Sequence, residues 1–251
     1  RDEHAARWRD APGLDDADRP ALAFAEQMAF DVASLQEGER RALFGATGSD
    51  APAFAQACYV ADLLPRARAA LDALFGRSAD AGDIAGADAP GAGGADALAA
   101  AVDDVIRVVP QLHALDPVTT ELVRLLGARR HRCRICQSLR SRSALVAGAD
   151  DAMFDAVDRH PQSDLAPAHK AALAFADGML ASPVALAPAL ADGLHAHFSP
   201  EACVELVLDV ARNATNKVAV ALGGDAPRVE TGYEVYDVGP DGELLYGLEA
   251  P

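Results

Sequence analysis

The chain predicts an all-α fold closed by a short C-terminal β-hairpin. Three observations carry that expectation. Apolar residues recur at helical spacing through most of the 251 residues, Pro, Gly and Asp punctuate those runs, and two-residue alternation appears only near the end. Alanine supplies much of the 51% hydrophobic content, whereas aromatic residues make up only 5%. Alanine joins the highest helix propensity to a small side chain, which favours closely packed helices.

In chain order, residues 1–19 are polar and charged and read as an arm. Residues 20–75 are helical, with helices at 21–36 (Leu22, Met28, Val32) and 51–75 (Phe54, Cys58, Ala61). Residues 76–96, including Ala89-Pro90-Gly91-Ala92-Gly93-Gly94, have the composition of a flexible linker. Residues 97–225 form the core region. Its first helix, 97–109, stops at Pro110. Asp116-Pro117 supplies a cap followed by proline at the first helical position, opening a helix through Glu121, Leu122 and Leu125. The next helix is expected to begin at Cys133-Arg134-Ile135-Cys136 and to end at Gly148. Helices at 150–158, 164–181 and 183–198 follow. Ser199-Pro200-Glu201 repeats the cap, proline and first-turn acid, and starts a helix reaching Leu222 before Gly223-Gly224. Residues 226–251 are the β tail, with alternation over 231–248 around Gly239-Pro240-Asp241-Gly242.

One internal echo bears on the architecture. Residues Ala21 to Met28 match Ala172 to Met179 almost position for position, and Ala57-Cys58 answers Ala202-Cys203. An internal duplication, with the first half a degenerate copy lacking the CxxC, accounts for this. So does the chance likeness of alanine-rich helices.

Charge and composition exclude several classes. A formal net charge of -16 opposes nucleic-acid or anionic-membrane binding over most of the surface. No run of strongly apolar residues is long enough for a transmembrane helix. Four cysteines make no disulfide framework, so a reducing cytoplasm is the expected compartment.

Cys133 and Cys136 are the residues most charged with chemistry. Two thiols separated by two residues can close a small disulfide and so store two electrons. Arg124, Arg129, Arg130, Arg132, Arg134, Arg140 and Arg142 crowd the same stretch of an otherwise acidic chain. Positive charge and a helix start both favour thiolate, the reactive form. A structural zinc site would need two further ligands, but Cys58 and Cys203 are isolated and His131 and His160 lack ligand spacing. A thioredoxin-like site would need a βαβ setting that these helical flanks do not provide. An inert pair is the remaining alternative. Glu121, in the preceding helix, is either a proton acceptor for a thiol or an ordinary salt-bridged helix residue.

Glu121, eleven intervening residues, Cys133-x-x-Cys136 and a small-residue helix ending in Gly148 together resemble the alkylhydroperoxidase D-like branch of the carboxymuconolactone decarboxylase family. Ala172-Leu173-Ala174-Phe175-Ala176, His197-Phe198-Ser199, Glu205-Leu206, Asn213 and Asn216 extend the resemblance, which covers residues 108–225. It implies an all-α alkylhydroperoxidase D-like helical bundle, homo-oligomeric and here most simply a homodimer. It also implies that Cys136 attacks, Cys133 resolves and Glu121 belongs to the proton relay. The family carries a relay histidine four residues after the second cysteine, where this chain has Arg140. With arginine there, the thiolate depends on electrostatics from Arg140 and Arg132, on Glu121 and water, or on a histidine from elsewhere. His131 is the nearest in sequence, and His169, His195 and His197 are further candidates.

The expected activity is that of a thiol-dependent oxidoreductase acting on a hydroperoxide or disulfide substrate. An external thiol reductant is required, and no metal or organic cofactor is implied. Two alternatives stand beside it. One is a non-enzymatic, redox-responsive interaction protein of the same fold. The other is a lyase-type family member whose cysteines are spectators.

Overall fold

The computed structural model describes residues 7–10, 13–76, 94–182 and 185–251. Most of the expected linker, part of the N-terminal arm and the start of the helix expected at 183–198 lie outside the described residues. The described chain is mostly helical, with a small three-stranded sheet.

Helix α1 (Arg19–Asp31) carries Pro20 in its first turn and starts two residues before the expected position 21. It ends five residues earlier than expected, because the Asp31 carboxylate accepts from the Ala33 N–H and starts a 3₁₀ turn, Val32–Ser34. Helix α2 (Glu37–Thr47) has no counterpart among the expected helices. Its first turn is closed by the Gln36 N–H donating to Glu39 at 2.7 Å. Helix α3 (Ala51–Phe75) matches the expected span, and α4 (Gly94–Val108) runs into a 3₁₀ turn holding Pro110. Helix α5 (Pro117–Arg130) is capped by Asp116, which accepts from the Thr119 N–H at 2.9 Å.

The single helix expected from Cys133 to Gly148 is a correction. The structure has a one-turn helix α6 (Arg134–Gln137), a strand β1 (Leu139–Ser141) and a short helix α7 (Arg142–Val146). Ser138 turns the chain out of α6: its hydroxyl donates to the Ile135 carbonyl at 2.9 Å, and its own carbonyl accepts from the Glu234 N–H at 2.8 Å. Pairing with a segment so distant in sequence leaves no local signature. Helices α8 (Asp151–Ala156), α9 (Pro167–Ala181) and α10 (Pro188–His195) follow. The helix expected from Ser199 to Leu222 is two, α11 (Pro200–Asn213) and α12 (Asn216–Leu222). The Thr215 hydroxyl donates to the Arg212 carbonyl at 2.7 Å and competes with the helical ladder at the break.

The C-terminal hairpin forms as expected from β2 (Glu234–Val238) and β3 (Leu244–Leu248), paired antiparallel. Strand β1 adds in parallel, with Leu139 opposite Glu234 and Ser141 opposite Tyr236. Gly242 in the hairpin turn has φ +75°, and a Cβ there would collide with the Arg107 carbonyl, so the turn fits against the end of α4 only as glycine.

Helix α3 takes part in both hydrophobic cores. Its C-terminal half packs with α5, α9, α10 and α11 around Leu122, Leu126, Phe154, Phe175 and Leu206. Its N-terminal half packs with α1, α2 and α12 around Phe24, Met28, Leu43 and Tyr59, and Cys133 belongs to this second core. The echoed segments fall on α1 and α9, where Phe24, Met28, Phe175 and Met179 are all buried. Both therefore carry the pattern of a helix with one face in a core. No helix among the described residues is long and apolar enough to cross a membrane.

Candidate functional site

The dithiol sits where α5 ends and the chain reverses. Arg132 makes the turn with φ 52°, the left-handed region, and is alone among the described non-glycine residues in doing so. Cys133 then caps α6: its sulfur accepts from the Cys136 N–H at 3.3 Å. The Cys133 N–H donates to the Ala128 carbonyl at 2.8 Å, which holds the turn against α5. The two cysteines are at disulfide distance, with Cα atoms 5.3 Å apart. Cys133 is fully buried, whereas Cys136 is half-buried. With only four residues in α6, the dipole of a long helix is not available to the sulfurs.

Glu121 and Arg124 make the rigid part of the site. Both are buried, and Arg124 binds Glu121 through Nε (2.6 Å) and Nη2 (2.7 Å). The same guanidinium donates to the Cys136 carbonyl at 2.8 Å and to the Leu139 carbonyl at 2.9 Å. Glu121 also accepts from the Ser141 N–H at 3.2 Å and from the Tyr236 hydroxyl at 3.0 Å. A planar fork that meets a carboxylate and two carbonyls at once is a geometry arginine supplies and lysine does not. Burial opposes the charge on Arg124, yet Glu121 and Tyr236 outweigh it and raise its pKa. Burial, then Glu121, raises the Tyr236 phenol, which therefore stays a donor at neutral pH. Glu121 makes no hydrogen bond to either sulfur, and its link to the dithiol runs through Arg124 to the Cys136 backbone.

Sequence reasoning names Arg124 only as one of the basic stretch around the thiols, and it does not single out Tyr236. The Glu121-x-x-Arg124 spacing is a readable signal, since residues three apart share a helix face. Tyr236 has none, because it arrives from the far end of the chain through sheet pairing.

The remaining candidates separate. His131 is buried, its Nδ1 donates to Asn216 Oδ1 at 2.7 Å, and burial followed by nearby Lys217 pushes its pKa down to about 4. It is a neutral imidazole in a hydrogen bond, facing α12. Arg132 is exposed beside the thiols. Arg140 is in β1, so the expected position one helical turn beyond Cys136 is corrected by the break after α6. Its guanidinium donates to the Gln137 and Leu139 carbonyls, both at 2.8 Å, and lies over the Phe154 and Tyr233 rings at 5.0 and 5.2 Å. Burial, then Arg124, lowers its pKa.

The basic stretch around the thiols is also largely compensated. Arg124 pairs with Glu121, Arg129 with Asp158, Arg130 with Asp177 and Arg134 with Asp225. Asp158, Asp177 and Asp225 are remote in sequence, which is why the stretch reads as purely positive before folding. Asp225 also accepts from the Arg134 N–H at 3.0 Å, and its carbonyl accepts from the Ile135 N–H at 2.9 Å. The chain after α12 thus fastens the first turn of α6.

Cys136 opens into a cavity of about 260 Å³ whose wall includes Ile135, Leu139, Arg124, Asn216, Tyr236 and Tyr246. Arg140 is not part of that wall. A second cavity, of about 580 Å³, lies on the other side of Arg124, Arg212 and Tyr236, which line both. Among the described residues, no group of three or more His, Cys, Asp or Glu side chains is arranged to hold a metal ion.

No protein-family model matches the chain, and no solved structure matches it significantly. It is 42% identical over 225 residues to uncharacterized protein Rv2313c of Mycobacterium tuberculosis (strain ATCC 25618 / H37Rv), a match that spans 89% of this chain and 79% of that protein. Identity and coverage are the same for uncharacterized protein MT2376 of Mycobacterium tuberculosis (strain CDC 1551 / Oshkosh).

Proposed function

The chain belongs to the family of the Mycobacterium tuberculosis proteins Rv2313c and MT2376, and we propose that it is a thiol-dependent oxidoreductase built on the Cys133–Cys136 pair. One observation carries the reading. The two sulfurs are at disulfide distance, Cys136 lines a cavity, and Cys133 is fully buried. An accessible thiol backed by a buried one is the arrangement that attack and resolution require. The Glu121 and CxxC spacing that resembles the alkylhydroperoxidase D-like branch supports the same assignment.

With a hydroperoxide, the Cys136 thiolate attacks the terminal oxygen, the O–O bond breaks and the alkoxide takes a proton to leave as alcohol. Cys136 becomes a sulfenic acid. The Cys133 thiol then attacks that sulfur, water leaves and the disulfide closes. An external dithiol returns two electrons and two protons. Arg124 positions Cys136 by its backbone, and Tyr236 and Ser141 fix the carboxylate that orients Arg124. A cytoplasmic location accords with this chemistry, since the pair has to be reduced in each cycle, and the homodimer is what the family resemblance implies.

The test is hydroperoxide consumption by the full chain with excess dithiol. Saturable turnover that disappears in Cys136→Ser is the expected result. An unaltered chain that consumes no hydroperoxide and reduces no small disulfide would sink the enzymatic reading.

A second reading has its own support. Strand β1 follows the dithiol directly and pairs with β2, and Arg124 ties the Cys136 carbonyl to Tyr236 through Glu121. A redox change at the pair would therefore be felt at the C-terminal hairpin, as a redox-responsive interaction protein needs. Limited proteolysis of oxidised and reduced chains distinguishes this, with faster cleavage near β2 and β3 in one state expected only if the switch operates.

A further inference from the structure

The larger cavity has features that the dithiol does not use. Glu205 and Asp209 are four residues apart on α11, so they lie on one helix face, and both line the 580 Å³ cavity. Both are buried, at 5% and 3% exposure. Glu205 accepts from the Ala114 N–H at 2.6 Å. Asp209 has the Thr120 hydroxyl beside it, yet its Oδ2 has no hydrogen-bond partner. A buried carboxylate oxygen left without a donor is costly, and a ligand that brings one removes the cost.

We propose that this cavity binds a small organic cation carrying a protonated amine, with the Asp209 carboxylate accepting one of its N–H bonds and Glu205 supplying the second negative charge. Charge and hydrogen-bonding capacity both point to that ligand. An ionised carboxylate only accepts, so it demands a donor. The nearby Glu121 charge is already met by Arg124, which leaves Arg212 as the cation set against Glu205 and Asp209. Arg212 has its Nε engaged by the Ile106 carbonyl at 3.1 Å. The cavity is of ordinary size for a small-molecule site. Amine binding here goes beyond the dithiol chemistry and stands independently of it.

The proton balance follows from the groups facing Asp209. From α11 these are Glu205 and Arg212, from α5 Thr120, Glu121 and Arg124, from β2 Tyr236 and Asp237, and from the segment before α5 His113. Helices α3, α9 and α10 add no titratable group to the cavity wall. Burial, then Glu205, pushes Asp209 up to about 7, against the lowering effect of Arg212 and Thr120. An ammonium beside this carboxylate lowers it again, so binding favours loss of the proton.

Isothermal titration of the full chain tests this with benzylamine and 1,4-diaminobutane as probes and benzoate as the anionic control. Two buffers of different ionisation enthalpy, neither a primary amine, are used at pH 7. The amines are expected to bind, with release of protons to the extent that the raised Asp209 carboxyl is protonated at that pH. Asp209→Asn should weaken them by about tenfold or more and abolish the proton release, and Glu205→Gln should weaken them as well. If Asp209→Asn does not fold by circular dichroism, the Glu205→Gln variant and the benzoate control decide the matter. No amine binding up to about 10 mM, undiminished binding by a folded Asp209→Asn or Glu205→Gln, or benzoate binding as tight as benzylamine would each overturn the proposal.

Discussion

The Tyr236 hydroxyl donates to Glu121 Oε2 at 3.0 Å, joining the C-terminal hairpin to the helix that precedes the dithiol. Glu121 holds Arg124, and Arg124 holds the Cys136 carbonyl. A residue from the last strands thus helps set the backbone of the proposed attacking cysteine.

Removing that hydroxyl should cost stability without unfolding the chain. Tyr236→Phe keeps the ring beneath Arg124, 5.3 Å from the guanidinium, and leaves Glu121 with Arg124 and the Ser141 N–H. The expected loss is about 1–2 kcal/mol, read as a lower urea midpoint with an unchanged slope.

The Glu121–Arg124 pair should respond unequally to single and double replacement. Glu121→Gln leaves a buried guanidinium without its counter-charge and should cost about 3–5 kcal/mol. Glu121→Met with Arg124→Met should lose much less than the sum of the two single changes. Denaturant unfolding of the full cycle measures the coupling.

His131 should make the fold sensitive to acid. Its folded pKa, about 4, is below the ordinary value of 6.5, so the unfolded chain takes the proton first as pH falls. Its contribution is complete above pH 6.5 and is lost on descending towards pH 4, by roughly 3 kcal/mol at most. Asp209, shifted up from 3.8 to about 7, acts with the opposite sign over an overlapping window. The stability of the unaltered chain minus that of His131→Gln should therefore rise between pH 4 and 6.5 and then level off. Urea midpoints across that range test it.

The local signals of the fold are legible in the sequence and the long-range ones are not. Asp116-Pro117 and Ser199-Pro200 announce α5 and α11 because a cap and a first-turn proline act within a few residues. The breaks at Ser138 and Thr215 are hidden by apolar spacing that continues across them. The first of these depends on pairing with Glu234 and its neighbours. Cys133, Cys136 and Glu121 stand out by type and spacing. The acidic partners that neutralise Arg129, Arg130 and Arg134 do not, because chain folding alone brings them there.

Arg140 should matter more for packing than for thiol chemistry. Its guanidinium lies between Phe154 and Tyr233 and binds two carbonyls, outside the cavity that Cys136 faces. Arg140→Ala is expected to lower stability by about 1–2 kcal/mol. It should leave the pH midpoint for iodoacetamide alkylation of reduced Cys136 unchanged. In the same experiment Cys136 should be alkylated well before the buried Cys133.

The central claim is that Cys136 and Cys133 act in turn on one oxidant. It is tested most directly by reducing the full chain, removing the reductant, adding one equivalent of an organic hydroperoxide and counting thiols. The four cysteines of the reduced chain should fall to Cys58 and Cys203, with peptide mapping placing the new disulfide at Cys133–Cys136. In Cys136→Ser the remaining thiols should persist. Retention of all four thiols by the unaltered chain, or equal thiol loss in Cys136→Ser, would contradict it.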